Sequence, residues 1–341
     1  MSQNNQAPAS PVETMLQMMS GFWVSRGIYV AAKLGIADYL QNGEKTAAEL
    51  AEATNTHADS LFRVLRMLAM VRVFEQKDGD KFALTPLSET LLTDVPFSLR
   101  PGAIAEMGEV HYDAWGNIMH SVKTGEIAFD NHFGMNVWQY FETDSEKAQN
   151  FNKYMARSSE SISQAIVEAY DFSETQKIVD IGGGLGAMIS TVLNANPNLS
   201  GILFDAPSVV EKSKEFLASA GVGERCETIG GNFFESVPGG GDLYTMRWII
   251  HDWDDEKSIT ILKNIRQVLP ENGKLLLFEA VVPASGEPHF SKFMDLIMLT
   301  MTGGRERTAK EYEDLLAKAG LKVTKVIPTN SFMSIVESVP V

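Results

Sequence analysis

The residues best suited to chemistry in this 341-residue chain are one histidine and three acids in its second half, His251 with Asp205, Glu279 and Glu306. With an unperturbed pKa near 6.5, histidine is the side chain best fitted to take a proton at neutral pH, and a carboxylate beside it would hold its tautomer. His251 lies in the segment Met246 to Asp255, just ahead of a helix start marked by Asp254 and Asp255. Either Glu279 or Glu306 could orient it. Upstream, Lys177 to Gly186 reads as a hydrophobic strand that ends in an acid, Asp180, and breaks into a glycine loop followed by a helix from Ala187. Gly182, Gly184 and Gly186 let the backbone turn tightly and approach a ligand, and the helix that follows presents a positive N-terminal end. Counting Gly182, Gly184 and Ala187, the loop also fits the dinucleotide pattern, so the glycines alone leave NAD open. About 20 residues further on, Asp205 is placed to accept hydrogen bonds from the ribose hydroxyls of an adenosine cofactor.

These residues need a frame, and the second half supplies one. From Lys177 the strand and helix signals alternate: Lys177 to Ile181, Ala187 to Ala195, Ser200 to Phe204, Ser208 to Ala220, Arg225 to Ile229, Asp242 to Arg247, Asp255 to Leu269 and Lys274 to Glu279. That order implies a mostly parallel sheet covered on both faces, with ligands outside the carboxyl ends of the strands. Asp205, His251 and Glu279 all fall at such ends. So does the turn Gly230 to Glu235, where a side-chain amide beside an aromatic ring could flank an adenine. Thr308 and Glu311 predict a capping box just after Glu306. Two last strands, Lys322 to Ile327 and Phe332 to Glu337, are separated by a short turn and should pair antiparallel at one edge.

The first hundred residues read differently. Met1 to Pro11 are polar and aperiodic, and are expected to be a disordered tail. From Thr14 to Leu40 apolar residues recur at helical spacing in two segments meeting around Gly21 to Gly27, with Phe22, Trp23, Ile28, Tyr29, Leu34 and Ile36 as buried candidates. Thr46 and Glu49 form a capping box, Ala58 to Met70 a helix, and Val71 to Glu75 with Lys81 to Leu84 a hairpin. Helices followed by a hairpin make a winged-helix pattern, which raises the rival function of a ligand-sensing transcription regulator. Between Glu44 and Glu89, six bases face eight acids, which is no phosphate-binding footprint. After Pro101 a helical, aromatic-rich stretch reads as a bridge and lid, so the expected domains are 12–100 and 101–341.

Composition narrows the classes. A formal charge of −15 argues against nucleic acid and anionic membranes as partners. One cysteine, Cys226, excludes an internal disulfide and a multi-cysteine metal site. No metal is expected, because His251, Asp252, Asp254 and Asp255 have neither zinc nor calcium-loop spacing. No Gly-x-Ser-x-Gly elbow is present, and no apolar run reaches the roughly 20 residues that span a bilayer. With no signal-peptide pattern at the start, the cytoplasm is the expected location.

Taken in order, Val179 to Gly186, Phe204 with Asp205, Gly231 to Phe234, Arg247 to Trp253, Glu279 and Gly303 to Thr308 with Glu311 resemble the two-domain S-adenosylmethionine-dependent O-methyltransferases of small molecules. The family includes plant caffeate and flavonoid enzymes, acetylserotonin enzymes and bacterial polyketide and phenazine enzymes. The resemblance runs from about Val12 to Val339. It implies an α/β fold, a Rossmann-like class I methyltransferase sheet with an antiparallel C-terminal strand pair, behind a mainly helical winged-helix dimerisation domain. It also implies S-adenosylmethionine as cofactor, a hydroxylated aromatic or conjugated small molecule as acceptor, and a homodimer.

By that likeness His251 is the base positioned by Glu279 and Glu306. Asp180, Gly182, Gly184, Asp205, Asn232, Phe233, Arg247 and Ser159 serve the cofactor. Phe151, Met155, Trp115, Asp252, Met294 and Met298 serve the acceptor. Asn232 departs from the family's usual aspartate, so a neutral carbonyl replaces a charged acceptor for the adenine amine. Some relatives keep the cofactor site yet catalyse decarboxylation or hydroxylation, which is the alternative within the family. A ligand-sensing regulator and a nicotinamide dehydrogenase are the alternatives outside it.

Overall fold

The computed structural model describes residues 10–96 and 98–341, apart from the side chains of residues 145, 146, 148, 152, 153 and 156–161. Most of the expected tail, Met1 to Pro11, lies outside the described residues. The chain divides into two compact units. One holds the described residues up to Tyr112 with Glu146–Tyr154, and the other holds Asp113–Ser145 with Met155–Val341.

In the first unit a single helix runs Pro11–Leu34, opened by a capping box between Ser10 and Glu13 and stopped by Gly35 in the left-handed conformation. The break expected around Gly21 to Gly27 is absent. Gly27 is buried inside this helix because a Cβ there would fall 2.4 Å from Met67 Cε, so the glycine allows close helix packing. Phe22 and Trp23, expected to be buried, are 54% and 66% exposed, whereas Ile36 is fully buried. The helices Ala47–Thr54, with the Thr46–Glu49 capping box, and Ala58–Met70 follow, with the shorter helices Ile36–Leu40, Pro86–Glu89 and Arg100–Glu106 beside them. Strands β1 (Lys45–Thr46), β2 (Phe74–Lys77) and β3 (Lys81–Leu84) form a small antiparallel sheet in the order β1-β3-β2. The hairpin starts three residues later than its sequence suggested, and β1 was too short to be read at all.

The second unit is built on seven strands: β4 (Lys177–Ile181), β5 (Ser200–Asp205), β6 (Cys226–Gly230), β7 (Leu243–Arg247), β8 (Lys274–Glu279), β9 (Leu321–Pro328) and β10 (Ser334–Pro340). Their order is β6-β5-β4-β7-β8-β10-β9. The first five are parallel, and β10 runs antiparallel to both β8 and β9. Strands β4, β7 and β8 are buried along nearly their whole length, as strands covered on both faces must be, with Asp180 and Thr245 paired by a hydrogen bond inside them. Consecutive strands β4, β5 and β6 step one way from β4, and β7 and β8 step the other. The crevice at this reversal lies where β4 and β7 end, which is where an open sheet of this type binds ligands. Among the described residues no helix is long and apolar enough to cross a membrane.

Candidate active site

After β7 the chain turns sharply. Trp248 takes a left-handed φ of 54°, a costly conformation for a bulky residue that persists only where its surroundings hold it. Here its indole N–H donates to Met333 Sδ at 3.1 Å and its ring lies within 6° of parallel to the His251 imidazole. A 3-10 turn, Ile250–Asp252, then delivers His251, which is 5% exposed.

Three carboxylates surround the imidazole. Glu306 Oε1 lies 2.8 Å from Nδ1, Glu279 Oε2 lies 3.9 Å from Nδ1, and Asp252 Oδ1 lies 3.8 Å from Nε2. A carboxylate at hydrogen-bond distance fixes the proton on Nδ1 and leaves Nε2 as the basic nitrogen. Burial opposes the imidazolium, but the charges of Asp252, Glu279 and Glu306 together with the Glu306 hydrogen bond outweigh it and push the His251 pKa up to about 10. Burial in turn holds Asp252 up to about 6 and Glu279 above the usual carboxylate range, in both cases against the pull of His251.

The Glu279 carboxylate and the Glu306 backbone are anchored in turn. Glu279 Oε1 accepts the Ile250 N–H at 3.1 Å, and the Glu306 N–H donates to Asp295 Oδ1 at 2.9 Å. Glu279 Oε2 and Glu306 Oε2 are buried and make no hydrogen bond among the described residues. Ligand atoms of His251, Glu279 and Glu306 lie within 4.8 Å of one another, a set that could grip a cation as well as a proton. His251 follows β7, Glu279 ends β8 and Glu306 lies in the segment between the helices Ser291–Met301 and Ala309–Lys318, which is why no local spacing announces the set.

A second group of residues lines the glycine loop. Gly182 and Gly184 have φ of 70° and 59°, where side chains are strained, and a Cβ on Gly184 would meet nothing within 4 Å among the described residues, so the loop offers bare backbone to a ligand. The Gly184 N–H donates to Asp205 Oδ2 at 2.8 Å and the Ala206 N–H to Asp205 Oδ1 at 2.6 Å, which leaves each oxygen a lone pair for a ribose hydroxyl. Asp180 Oδ2 and Arg247 Nη1 are buried polar atoms with no hydrogen-bond partner among the described residues. An acid and a cation in that state suit the ammonium and carboxylate of a methionine moiety. Burial raises Asp180 to about 7 and lowers Arg247 to about 10. The Phe233 ring stands 3.9 Å from where a Gly182 Cβ would be. The residues present therefore fit S-adenosylmethionine. Asn232 is occupied locally, since its Nδ2 donates to Glu235 and its Oδ1 accepts from the Phe234 N–H, each at 3.0 Å.

Comparison with known proteins decides the class. Residues 115–322 match the O-methyltransferase domain, and residues 16–94 match the O-methyltransferase dimerisation domain. This chain belongs to the O-methyltransferase family. The methyltransferase is 44% identical over 342 residues, 100% of each chain, to the phenazine O-methyltransferase PhzM of Lysobacter antibioticus. It is 38% identical to the mitomycin biosynthesis 6-O-methyltransferase of Streptomyces lavendulae, over 94% of this chain and 92% of that one. The crystal structure of LaPhzM superposes with a TM-score of 0.93 at 44% identity, covering 98% of this chain and 100% of that chain. The methyltransferase uses S-adenosylmethionine to methylate a small aromatic or conjugated molecule.

Of the residues singled out from the sequence, the structure brings His251, Asp252, Glu279 and Glu306 into one cluster. Met294 and Met298 lie one turn apart on the helix Ser291–Met301, whose Asp295 holds Glu306. Met155 packs on the core that contains Trp248. Trp115 is half-buried on the helix Glu109–Gly116, and Phe151 belongs to the first unit. The side chain of Ser159 lies outside the described residues. Sequence reading missed Arg307 of the methyltransferase, 1% exposed and bonded to the turn that carries His251. Its only signal was a cation next to the Glu306 position.

Proposed function

We propose that this enzyme methylates a phenolic hydroxyl on a flat fused-ring acceptor, with His251 as general base. The observation that carries the reading is the buried His251–Glu306 pair at 2.8 Å, placed at the switch point beside the glycine loop. In this reading Asp180, Gly182, Gly184, Asp205, Asn232, Phe233, Arg247 and Ser159 bind the methyl donor. Asp252, Met155, Met294, Met298 and Trp115 contact the acceptor. S-adenosylmethionine, when bound, supplies a methyl group on a cationic sulfur as the electrophile. His251 Nε2 takes the phenol proton as the oxygen attacks, and Glu306 and Glu279 stabilise the imidazolium that results. The carboxylates that raise the His251 pKa strengthen it as a proton acceptor and, in the same measure, lower the fraction of unprotonated base at neutral pH. Relatives that act on phenazine and mitomycin compounds support a fused-ring acceptor. A panel of hydroxyphenazines, hydroxynaphthoates and simple phenols, assayed with labelled methyl donor, tests this. Transfer to monocyclic phenols alone, or to ring nitrogens alone, would overturn it.

The pH dependence follows from the cluster. A base must be unprotonated, so kcat/KM rises with pH through the His251 pKa, and its acid limb should lie well above 6.5. Asp252 is the largest of the charges that raise that pKa, so Asp252→Asn should move the limb to lower pH. A limb that stays in place would remove Asp252 from the electrostatics of the base.

We further infer that residues 12–100 form the homodimer contact and residues 101–341 the catalytic part. Met15, Met18, Met19, Phe22 and Trp23 are all more than half exposed along the first helix, an apolar stripe that is a liability on a lone chain. Trp23→Asp should weaken dimerisation by roughly 30-fold or more, as loss of a buried tryptophan anchor does. Light scattering at micromolar concentration should then give the mass of one chain where the parent gives two.

A further inference from the structure

Arg307 heads the fully buried side chains by size, and its one ion-pair partner among the described residues, the Asp255 side chain, stays 49% exposed. A buried guanidinium is weak evidence for stability, since packed apolar side chains of the same volume often do as well. Its hydrogen bonds point to another role. Nη1 donates to the Ile250 carbonyl at 3.0 Å and Nη2 to the Trp253 carbonyl at 3.0 Å, so one fork grips the main chain on both sides of His251. Nη2 and Nε also reach Asp255 Oδ1, at 2.8 and 3.3 Å, which ties the fork to the first turn of the helix Asp255–Val268. Within the turn the Ile250 carbonyl takes only a long 3.4 Å bond from the Trp253 N–H, so the shorter Arg307 contact is its closest hydrogen bond among the described residues. Ser258 Oγ touches the same two carbonyls only at 3.4 and 3.3 Å.

The backbone of Arg307 continues the pattern. The Val282 N–H donates to the Arg307 carbonyl at 2.9 Å, and Val282 bridges to Thr308, which joins the residue to the segment that leaves β8 after Glu279. Arg307 also follows Glu306 directly. One residue therefore joins the three segments that carry His251, Glu279 and Glu306.

We propose that Arg307 is a positioning residue for the base, its guanidinium fork fixing the Ile250–Trp253 turn so that His251 Nδ1 stays in register with Glu306. This rests on the reading of His251 as the base. Lysine keeps the charge but not the planar fork, so it cannot grip both carbonyls and Asp255 together.

The test uses the full-length protein with Arg307→Lys, Glu306→Gln and the double variant, followed by steady-state kinetics and calorimetric titration with S-adenosylmethionine. Arg307→Lys should lower kcat by roughly 10- to 100-fold, the scale of a misplacement of about an ångström. Affinity for S-adenosylmethionine should stay within about two-fold. In the Glu306→Gln background the same substitution should cost less than about three-fold, because the pair it aligns is already broken. Losses that multiply in the double variant would reduce Arg307 to a structural role and overturn the proposal, leaving the base reading intact. Unchanged kcat in both Glu306→Gln and His251→Ala would instead overturn the base reading, and the clamp with it. Should Arg307→Lys fail to fold, Asp255→Asn loosens the same fork from its exposed side. It should show a several-fold loss of kcat that disappears in the Glu306→Gln background, and a loss that persists there counts against the clamp.

Discussion

Alanine at His251 should lower kcat by about 10²- to 10⁴-fold, the usual share of a general base, while the dissociation constant for S-adenosylmethionine stays where it was. The separation of effects follows from geometry. His251 sits beyond β7 with its Nδ1 on Glu306, whereas the atoms suited to the methyl donor belong to β4 and the loop after it and to Asp205 at the end of β5, with Arg247 at the end of β7 the one neighbour of the base among them. The substitution also leaves Glu279 buried without the imidazolium that offsets its charge, so Glu279 should take up a proton more readily. Residual turnover should come from alignment of acceptor and donor, which alone lowers the barrier by several kcal/mol. It should rise with pH as the acceptor ionises unaided, so acceptors of lower pKa should lose less. Initial rates at saturating donor, compared across phenols of different acidity, check this. Equal rates for parent and variant would remove His251 as the base.

The parts of this site that were legible in the sequence are those encoded locally. The strand and glycine run from Lys177 to Gly186, Asp205 at the end of the next strand and the Thr308–Glu311 capping box each declare themselves within about ten residues, and each stands where it was expected. The association of His251 with Glu306 spans 55 residues of chain and depends on how the segment between two later helices returns to the end of β7, which no local pattern encodes. Resemblance to a family suggested it. Arg307 stayed invisible for a related reason, since an arginine in a polar segment is ordinarily solvated and only the folded turn shows that its donors are consumed by carbonyls. The first helix misled in the opposite direction. Phe22 and Trp23 recur at helical spacing, and periodicity marks an apolar face without saying whether this chain or a second copy covers it. Gly27 was read as a break because glycine disfavours helix interiors, but contact with Met67 and Leu68 decides the matter.

Gly304→Ala should be the most damaging substitution that removes no functional group. A Cβ at this position would lie 1.8 Å from the His251 carbonyl oxygen and 2.5 Å from the Asp252 carbonyl carbon, both backbone atoms that no rotamer change can move aside. The segment from Gly303 to Arg307 rests on the base turn at this point, with the Arg305 N–H donating to that same His251 carbonyl at 2.8 Å. To admit a methyl group the two segments must separate by an ångström or more. That displacement carries Glu306 away from Nδ1 and loosens the Arg307 fork, so one methyl group should undo the alignment that three side chains maintain. We expect kcat to fall by roughly 100-fold or more, with a stability loss of about 1–3 kcal/mol from the overpacked contact. The acid limb of the kcat/KM profile should shift to lower pH, because a more distant Glu306 supports the imidazolium less. Neighbouring Gly303 makes the control. A Cβ there meets only the Ile127 side chain, at 2.8 Å, and its φ of 77° adds backbone strain, so Gly303→Ala should cost stability while moving the pH limb little. If the two variants lose activity in proportion to their loss of melting temperature and share one pH profile, the contact at Gly304 is ordinary packing; a shift confined to Gly304→Ala would locate the effect at the base.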